Sequence, residues 1–371
     1  MRNAMRWGVG AAVLAGAVAG CSTDVDLNAP YLRTPVVFGL LDAAADTQWV
    51  RINRTWLGPG NQFDAAAIAD SSEYAPEELQ VRVIERVGGI VTNTFYLSDT
   101  TRSDKQDDGV FYAPEHQAWY FVPENGLNPA AEYDLEVDVA DGTEVRATTD
   151  MIASVAGNIT QPPPGVIGYK MGFANIGPAS VTYPDQTFKW STTPGASRYE
   201  VTLILHVIER EWADAAHTVL VEERTRDIEW FIGAVDAAST AGGQVLMKEI
   251  NGERFFTTLA SRLEANPLIT RQLGVWNATT GNVEAIDFIL TIANEPLATY
   301  LDVNAPVTGV IQERPSYTNV VGGLGLWASR ARQGVYGIGY TTDTIEHLVE
   351  GDATAGLNFC SPNPTSPYPC P

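Results

Sequence analysis

Cations are scarce in this chain. It has 23 Lys and Arg against 45 Asp and Glu, a formal net charge of −22 in 371 residues. Only four of the 23 are lysine (Lys105, Lys170, Lys189, Lys248), which leaves nineteen arginines. A surface so acidic offers no general basic face, which argues against nucleic acid or anionic headgroups as partners; the charge reads as a solvated surface. Histidine is as rare. No two of His116, His206, His217 and His347 have His-x3-His or His-Glu-x2-His spacing, so a zinc-protease type of site is not supported. There is no Gly-x-Ser-x-Gly elbow for a serine nucleophile. Gly322-Gly323-Leu324-Gly325 lacks the spacing of a dinucleotide loop and reads as a turn or bulge instead. With 45 acidic residues, no carboxylate pair can be singled out for glycosidase chemistry. Long apolar runs are missing too: the longest, residues 7–20, has fourteen residues, short of the roughly 20 that a spanning helix needs.

What is present begins with that run. Preceded by Arg2 and Arg6, it has the make-up of a signal segment. It closes on Val18-Ala19-Gly20-Cys21, which resembles the lipobox of bacterial lipoproteins. The resemblance implies that residues 1–20 are removed and that Cys21 carries the lipid; an ordinary signal peptide followed by an unrelated cysteine is the alternative. Two or more acyl chains hold stably where one holds only marginally. Ser22 in place of Asp after the cysteine points to outer-membrane sorting, and Asp24 with Asp26 resembles a surface-export signal. Residues 21–33 then form a polar tether.

From Pro35 the pattern becomes short runs of Val, Ile, Thr and aromatics between Gly, Pro, Asn and Asp, which is strand chemistry. Strands are expected at residues 36–41, 49–56, 79–85, 93–97, 110–112, 118–122, 133–139 and 144–148. Strict alternation in 79–85 and 133–139 predicts one buried and one wet face, and Asp141-Gly142 a tight hairpin turn. So many short strands in residues 34–155 read as an immunoglobulin-like β-sandwich. Gln161-Pro162-Pro163-Pro164-Gly165 marks a Pro-rich linker at 156–171. A second β domain is expected at 172–351, with strands at 187–191, 198–203, 218–223, 227–231, 285–293 and 325–329. Its opening, Thr187-Phe188-Lys189-Trp190-Ser191 followed by Arg198-Tyr199-Glu200-Val201-Thr202-Leu203, resembles the early strands of fibronectin type III domains. Residues 253–263 put Phe255, Phe256, Leu259 and Leu263 on one face of an inserted helix. The remaining residues, 352–371, form a Pro-rich tail. The fold class is therefore mainly β, two sandwich domains, the second with a helical insert.

Three stretches carry a wider resemblance: Pro35-Val36-Val37-Phe38-Gly39-Leu40-Leu41-Asp42 continuing to Asn61, Tyr133-Asp134-Leu135-Glu136-Val137 with Val145-Arg146-Ala147-Thr148-Thr149, and Tyr317 through Ser329. Joined to the Cys21 motif, they resemble the uncharacterised outer-membrane lipoproteins common in Bacteroidota, grouped as a domain of unknown function. Such proteins are often encoded beside TonB-dependent receptors, which implies an accessory role at that membrane and supplies no catalytic residues.

Among local motifs, Asp104-Lys105-Gln106-Asp107-Asp108-Gly109 with Glu115 nearly matches a calcium loop, so Asp104, Asp108 and Glu115 are the candidate ligands and calcium the one candidate cofactor. Gln106 departs from the pattern, and a solvated hairpin loop explains the same residues. Cys360 and Cys370 are a candidate disulfide across a Pro-rich loop, free thiols being the alternative. Trp56, Phe63 and Tyr74 border a loop with one short helical turn; they are a candidate binding surface or else packing at the sandwich end. These features together predict a lipid-anchored, non-catalytic binding or scaffolding protein of the outer membrane. An outer-membrane receptor is the companion that the resemblance implies; no nucleic-acid partner is expected, and the ligand is unidentified. The competing classes are an envelope hydrolase acting on glycan or peptide, which needs carboxylates or a His and a carboxylate in one cleft, and a structural assembly subunit.

Overall fold

Alternation sets the first layer. Leu79–Val87 and Glu132–Val139 turn Val81, Val83, Leu135 and Val137 inward and pair antiparallel, Val83 opposite Leu135. Ile90–Tyr96 and Glu144–Asp150 flank them in a four-stranded sheet. At the expected hairpin Gly142 takes φ 91°, open to glycine without strain, while the Thr143 amide donates to Asp141 Oδ1 at 2.9 Å. The structure is a computed structural model that describes residues 32–57, 61–153, 157–305 and 316–371. Cys21, the signal segment and most of the tether lie outside those residues. Within them the chain is mainly β, in several sheets and with no barrel.

Facing the four-stranded sheet are Pro35–Asp42, Gln48–Arg54, His116–Phe121 and Ser98–Arg102, which belong to an 11-stranded sheet. Val37, Leu41, Val50, Ile52, Trp119 and Phe121 meet Val83, Leu135 and Val137 in one core. A second core forms around Arg198–Trp212, whose alternation buries Tyr199, Val201, Leu203, Leu205 and Val207. This strand pairs with Leu220–Asp236 on one side and with Ile286–Ala293 and Ile269–Leu273 on the other. Opposite it lie Phe188 and Trp190 of Asp185–Ser191, Leu246 and Ile250 of Val245–Asn251, and the helix Glu253–Arg262. That helix buries its expected stripe of Phe255, Phe256 and Leu259, with Leu263 just past its end, and the Phe255 ring stacks on Phe173 at 4.1 Å.

One strand belongs to both cores. The first half of Leu324–Tyr340 runs parallel to Pro35–Asp42, with Val37 opposite Gly325 and Leu41 opposite Ser329. The second half runs antiparallel to Ile286–Ala293, with Phe288 opposite Val335. Residues 34–155 therefore do not complete the first core by themselves, since Val320 and Trp327 are packed within it. Gly325 makes the close approach possible: at φ 113°, its added Cβ would lie 1.9 Å from the Val37 carbonyl oxygen.

Other elements depart from the sequence pattern for physical reasons. The Pro-rich stretch expected as a linker is woven into the fold, because Ile159 of Ile159–Gln161 is buried and pairs with Trp190. Residues 110–112 form no strand, and the two runs expected at 218–223 and 227–231 are one strand, Leu220–Asp236. Helices Glu295–Val303 and Thr342–Glu350 follow strands where none was expected. The tail docks through Phe359–Cys360, which adds parallel to Ile269–Leu273, and Cys360 is disulfide-bonded to Cys370. Next to it Arg271, almost fully buried, donates Nε to Glu209 at 2.9 Å and Nη1 to the Leu357 carbonyl at 2.8 Å.

Candidate functional site

Pro35-Val36-Val37-Phe38-Gly39-Leu40-Leu41 is apolar without alternation, and neighbours in a strand point to opposite faces. Val37 and Leu41 fill the first core, so Phe38 and Leu40 emerge on the far side of the sheet. A strand apolar on both faces needs cover on both. Helix Glu295–Val303 supplies part of it, packing Leu297, Ala298 and Leu301 onto Leu326, Ala328 and Leu40. Asn294 fixes the helix start: its Oδ1 accepts from the Leu297 amide at 3.4 Å, and its Nδ2 donates to Thr149 Oγ1 at 2.8 Å. The helix covers Leu324–Tyr340 but stops short of the strands beyond. What remains is a groove of about 710 Å³, with Phe38 40% and Trp49 38% exposed along it.

The walls are held firmly. Across from the helix, the turn at residues 42–48 is locked by the buried Gln48 side chain, which accepts from the Asp42 amide at 3.0 Å and donates to the carbonyls of Asp42 and Ala45 at 2.9 and 2.8 Å. Tyr300 meets Phe38 edge to face at 6.0 Å. The guanidinium of Arg102 lies 4.4 Å over the Trp49 ring, a cation–π contact of about 0.5–1 kcal/mol at such a partly open site, and Asp104 holds it there through Nε at 3.1 Å. Arg51, Arg330, Asp42, His116 and Thr47 are the other polar residues of the lining. The Arg330 guanidinium is 3.7 Å from Asp42. Burial pushes the His116 imidazole below its ordinary range, and the nearby Arg51 adds to that, so His116 is neutral at pH 7.

Of the site candidates singled out from sequence, Asp104 touches the groove by holding Arg102, and the others lie elsewhere. Tyr74 is only 4% exposed, part of the first core beneath Arg54 at 5.1 Å. Trp56 meets Phe111 edge to face at 6.0 Å, and Phe63 stands exposed on the short helix Gln62–Ala66. The three do not share a surface feature with the groove. Asp104, Asp108 and Glu115 form no metal-holding group; none is found among the described residues. Asp104 is taken by Arg102, whose hydrogen bond holds its carboxyl below the ordinary range, and Glu115 accepts from the Tyr112 hydroxyl at 3.4 Å. The histidines also stay apart. His206 bridges Asp227 at 2.7 Å and Asp287 at 3.0 Å on the outward face of its strand, between the inward Leu205 and Val207. Burial opposes its charge, but the two carboxylates outweigh burial and raise its pKa.

The groove residues Phe38, Leu40, Trp49, Arg51, Arg102 and Tyr300 carry no motif. Two signals for them do exist in the sequence. One is the apolar run at 35–41, which calls for cover on both faces. The other is Asn294-Glu295-Pro296, a capping residue with proline in the first turn, which starts a helix.

No family model matches the chain, and no curated protein matches it. Among solved structures, it is similar to the C-terminal globular domain of an oligosaccharyltransferase from Pyrococcus abyssi at 10% identity and TM-score 0.21, over 64% of this chain and 45% of that one. It is similar to a secreted serine protease from Vibrio cholerae at 7% identity and TM-score 0.13, over 59% and 44%. A domain of a biofilm-associated protein is similar at 6% identity and TM-score 0.14, over 81% and 58%. The chain thus spans about half the length of these structures, and similarities this low define neither its fold family nor its activity.

Proposed function

We propose that this chain is a lipid-anchored envelope protein that binds a ligand in the groove beside helix Glu295–Val303 without transforming it. In this reading Cys21 holds it at the outer membrane, and the frame is two β-sandwich-like domains, the first immunoglobulin-like and the second fibronectin-like with helix Glu253–Arg262 inserted. A TonB-dependent receptor is the companion that the sequence resemblance suggests. One observation carries the reading: a preformed groove whose apolar floor is left open between hydrogen-bonded walls, with Phe38 and Trp49 exposed along it. Sites of about 300–1,000 Å³ with an apolar lining and few polar groups are the usual form of small-ligand pockets.

Two measurements test it. Cys21→Ala should move the protein from the membrane to the soluble fraction, and persistence in the outer membrane would remove the anchor from the proposal. The uncharged dye N-phenyl-1-naphthylamine should fluoresce on binding the full chain and lose that signal when Ala45→Trp and Thr47→Trp together narrow the groove. A signal untouched by this pair places dye binding elsewhere and defeats the groove as the site.

A further inference from the structure

We infer that the ligand of the groove is an amphiphile with an anionic head, of the fatty-acid type, its chain on the apolar floor and its carboxylate on Arg51 and Arg102. This rests on the groove being a binding site and adds the chemistry of what enters it.

Charge inverts inside the groove. The chain carries 45 acidic against 23 basic residues, yet the charged lining is Arg51, Arg102 and Arg330 against Asp42 alone. Arg330 and Asp42 face each other at 3.7 Å and offset one another. Arg102 is met in the same way by Asp104, just outside the lining, so Arg51 is the lining cation without an ion pair, and Glu73 is near enough to feel its charge. Arg51 forms no ion pair among the described residues; its Nε donates to Asn53 Oδ1 at 2.8 Å, and its two Nη groups are left as donors. Arg102 presents one edge to Asp104 and one face to Trp49, which aims the guanidinium without using all of its donors. His116 Nδ1, buried and without a hydrogen-bond partner, lies in the same wall. A planar carboxylate is what a guanidinium fork pairs with best.

The rest of the groove excludes a bare inorganic anion as the natural occupant. Its floor is Leu40, Ala118, Leu297, Leu301 and Leu326, and its volume far exceeds what a small ion fills. The outer surface argues for a free molecule over a bilayer, because a protein with a net charge of −22 is repelled by anionic headgroups that cannot leave their plane. A single amphiphile can enter and meet the recessed arginines.

The test uses the full chain carrying Cys21→Ala, with displacement of N-phenyl-1-naphthylamine as the readout. Dodecanoate should displace the dye at least about tenfold more tightly than its methyl ester or dodecyltrimethylammonium. Arg51→Gln with Arg102→Gln should raise the dodecanoate Kd about tenfold and remove the preference for dodecanoate over its methyl ester, each competition being corrected for the variant's own dye Kd. Arg51→Lys, which keeps the charge but not the fork, should bind dodecanoate more tightly than Arg51→Gln and more weakly than the unaltered chain, and this single-site comparison decides the matter if the double variant fails to fold. Equal displacement by dodecanoate and its methyl ester overturns the anionic head while leaving the groove as an apolar site. Dye binding that ignores Ala45→Trp with Thr47→Trp overturns the groove and this inference together. Sedimentation with phosphatidylglycerol vesicles without binding of free dodecanoate overturns the free amphiphile in favour of a membrane surface.

Discussion

Gly39 carries two faces of the molecule at once. An added Cβ would lie 2.5 Å from the Trp327 ring on the core side. Trp327 has little room to yield, since its Nε1 donates to the Tyr133 carbonyl at 2.9 Å and its backbone is clamped by Asn319, which accepts from the Trp327 amide at 3.0 Å and donates to its carbonyl at 2.6 Å. Gly39→Ala should therefore destabilise the fold by about 1–3 kcal/mol, as overpacking does, read as a lower urea midpoint. Glu209 is the second residue on which stability turns. Burial alone would raise its carboxyl, but hydrogen bonds from Arg271 and Arg224 outweigh burial and hold it below the ordinary value of 4.5. A carboxyl depressed by folding contributes stability that is fully present above its unfolded pKa and is lost as pH falls through the folded one. The melting temperature should thus fall in acid below about pH 4.5, and Glu209→Gln should flatten part of that fall. Arg271→Ala should cost more, about 3 kcal/mol, because it removes the one buried cation on Glu209 and leaves only the exposed Arg224 and Arg226 to offset its charge. Neither residue stands out in the sequence, where Glu209 is one acid among 45.

Among the elements, helix Glu295–Val303 decides whether a groove exists. Proline inside a helix costs about 3 kcal/mol and breaks it, so Ala298→Pro should uncover Leu326 and Ala328 and abolish dye binding. Pro296, by contrast, sits in the first turn, where its missing N–H costs nothing and its fixed φ favours the helix start. Limited proteolysis near this helix should report the break. At the tail, the Cys360–Cys370 bond spans a sequence separation of 10, for which loop closure predicts about 3 kcal/mol of stabilisation. Cys360→Ser with Cys370→Ser should lower the melting temperature and free the tail to protease. Strands of strict alternation, such as Leu79–Val87 and Glu132–Val139, were legible because each buries one face, whereas Arg198–Trp212 was read only over residues 198–203. Leu324–Tyr340 was legible only in part: Gly334, Gly337 and Gly339 and the arginines at 330 and 332 break its pattern where it crosses from one core to the other. The groove was illegible for a related reason. Its floor is assembled from several strands and a helix, and spacing along the chain carries no sign of that convergence.

At the scale of the whole molecule, the shared strand ties the two cores into one sheet. Heat should therefore melt them in a single cooperative transition by calorimetry; two resolved peaks would show that the strand transmits no coupling. A fragment of residues 34–155 should lack cooperative unfolding, because Val320 and Trp327 are missing from its core. The boundary expected from the Pro-rich stretch was readable as composition, but composition does not report that Ile159 pairs with Trp190 or that the strand opening the first layer finds its parallel neighbour near the other end of the chain.

That neighbour also sets an order of events. Pro35–Asp42 is synthesised early, yet Val36 pairs with Leu324. As the chain emerges, the apolar run Val36-Val37-Phe38-Gly39-Leu40-Leu41 must wait, without its parallel partner, until residues 324–330 have been made. Pairing at such separation is slow, and an apolar edge left waiting is prone to join another chain. Folding of this protein should accordingly depend on a chaperone that shields its first strand, and the time to reach protease resistance should track the arrival of residues 324–330 rather than the completion of the first 155.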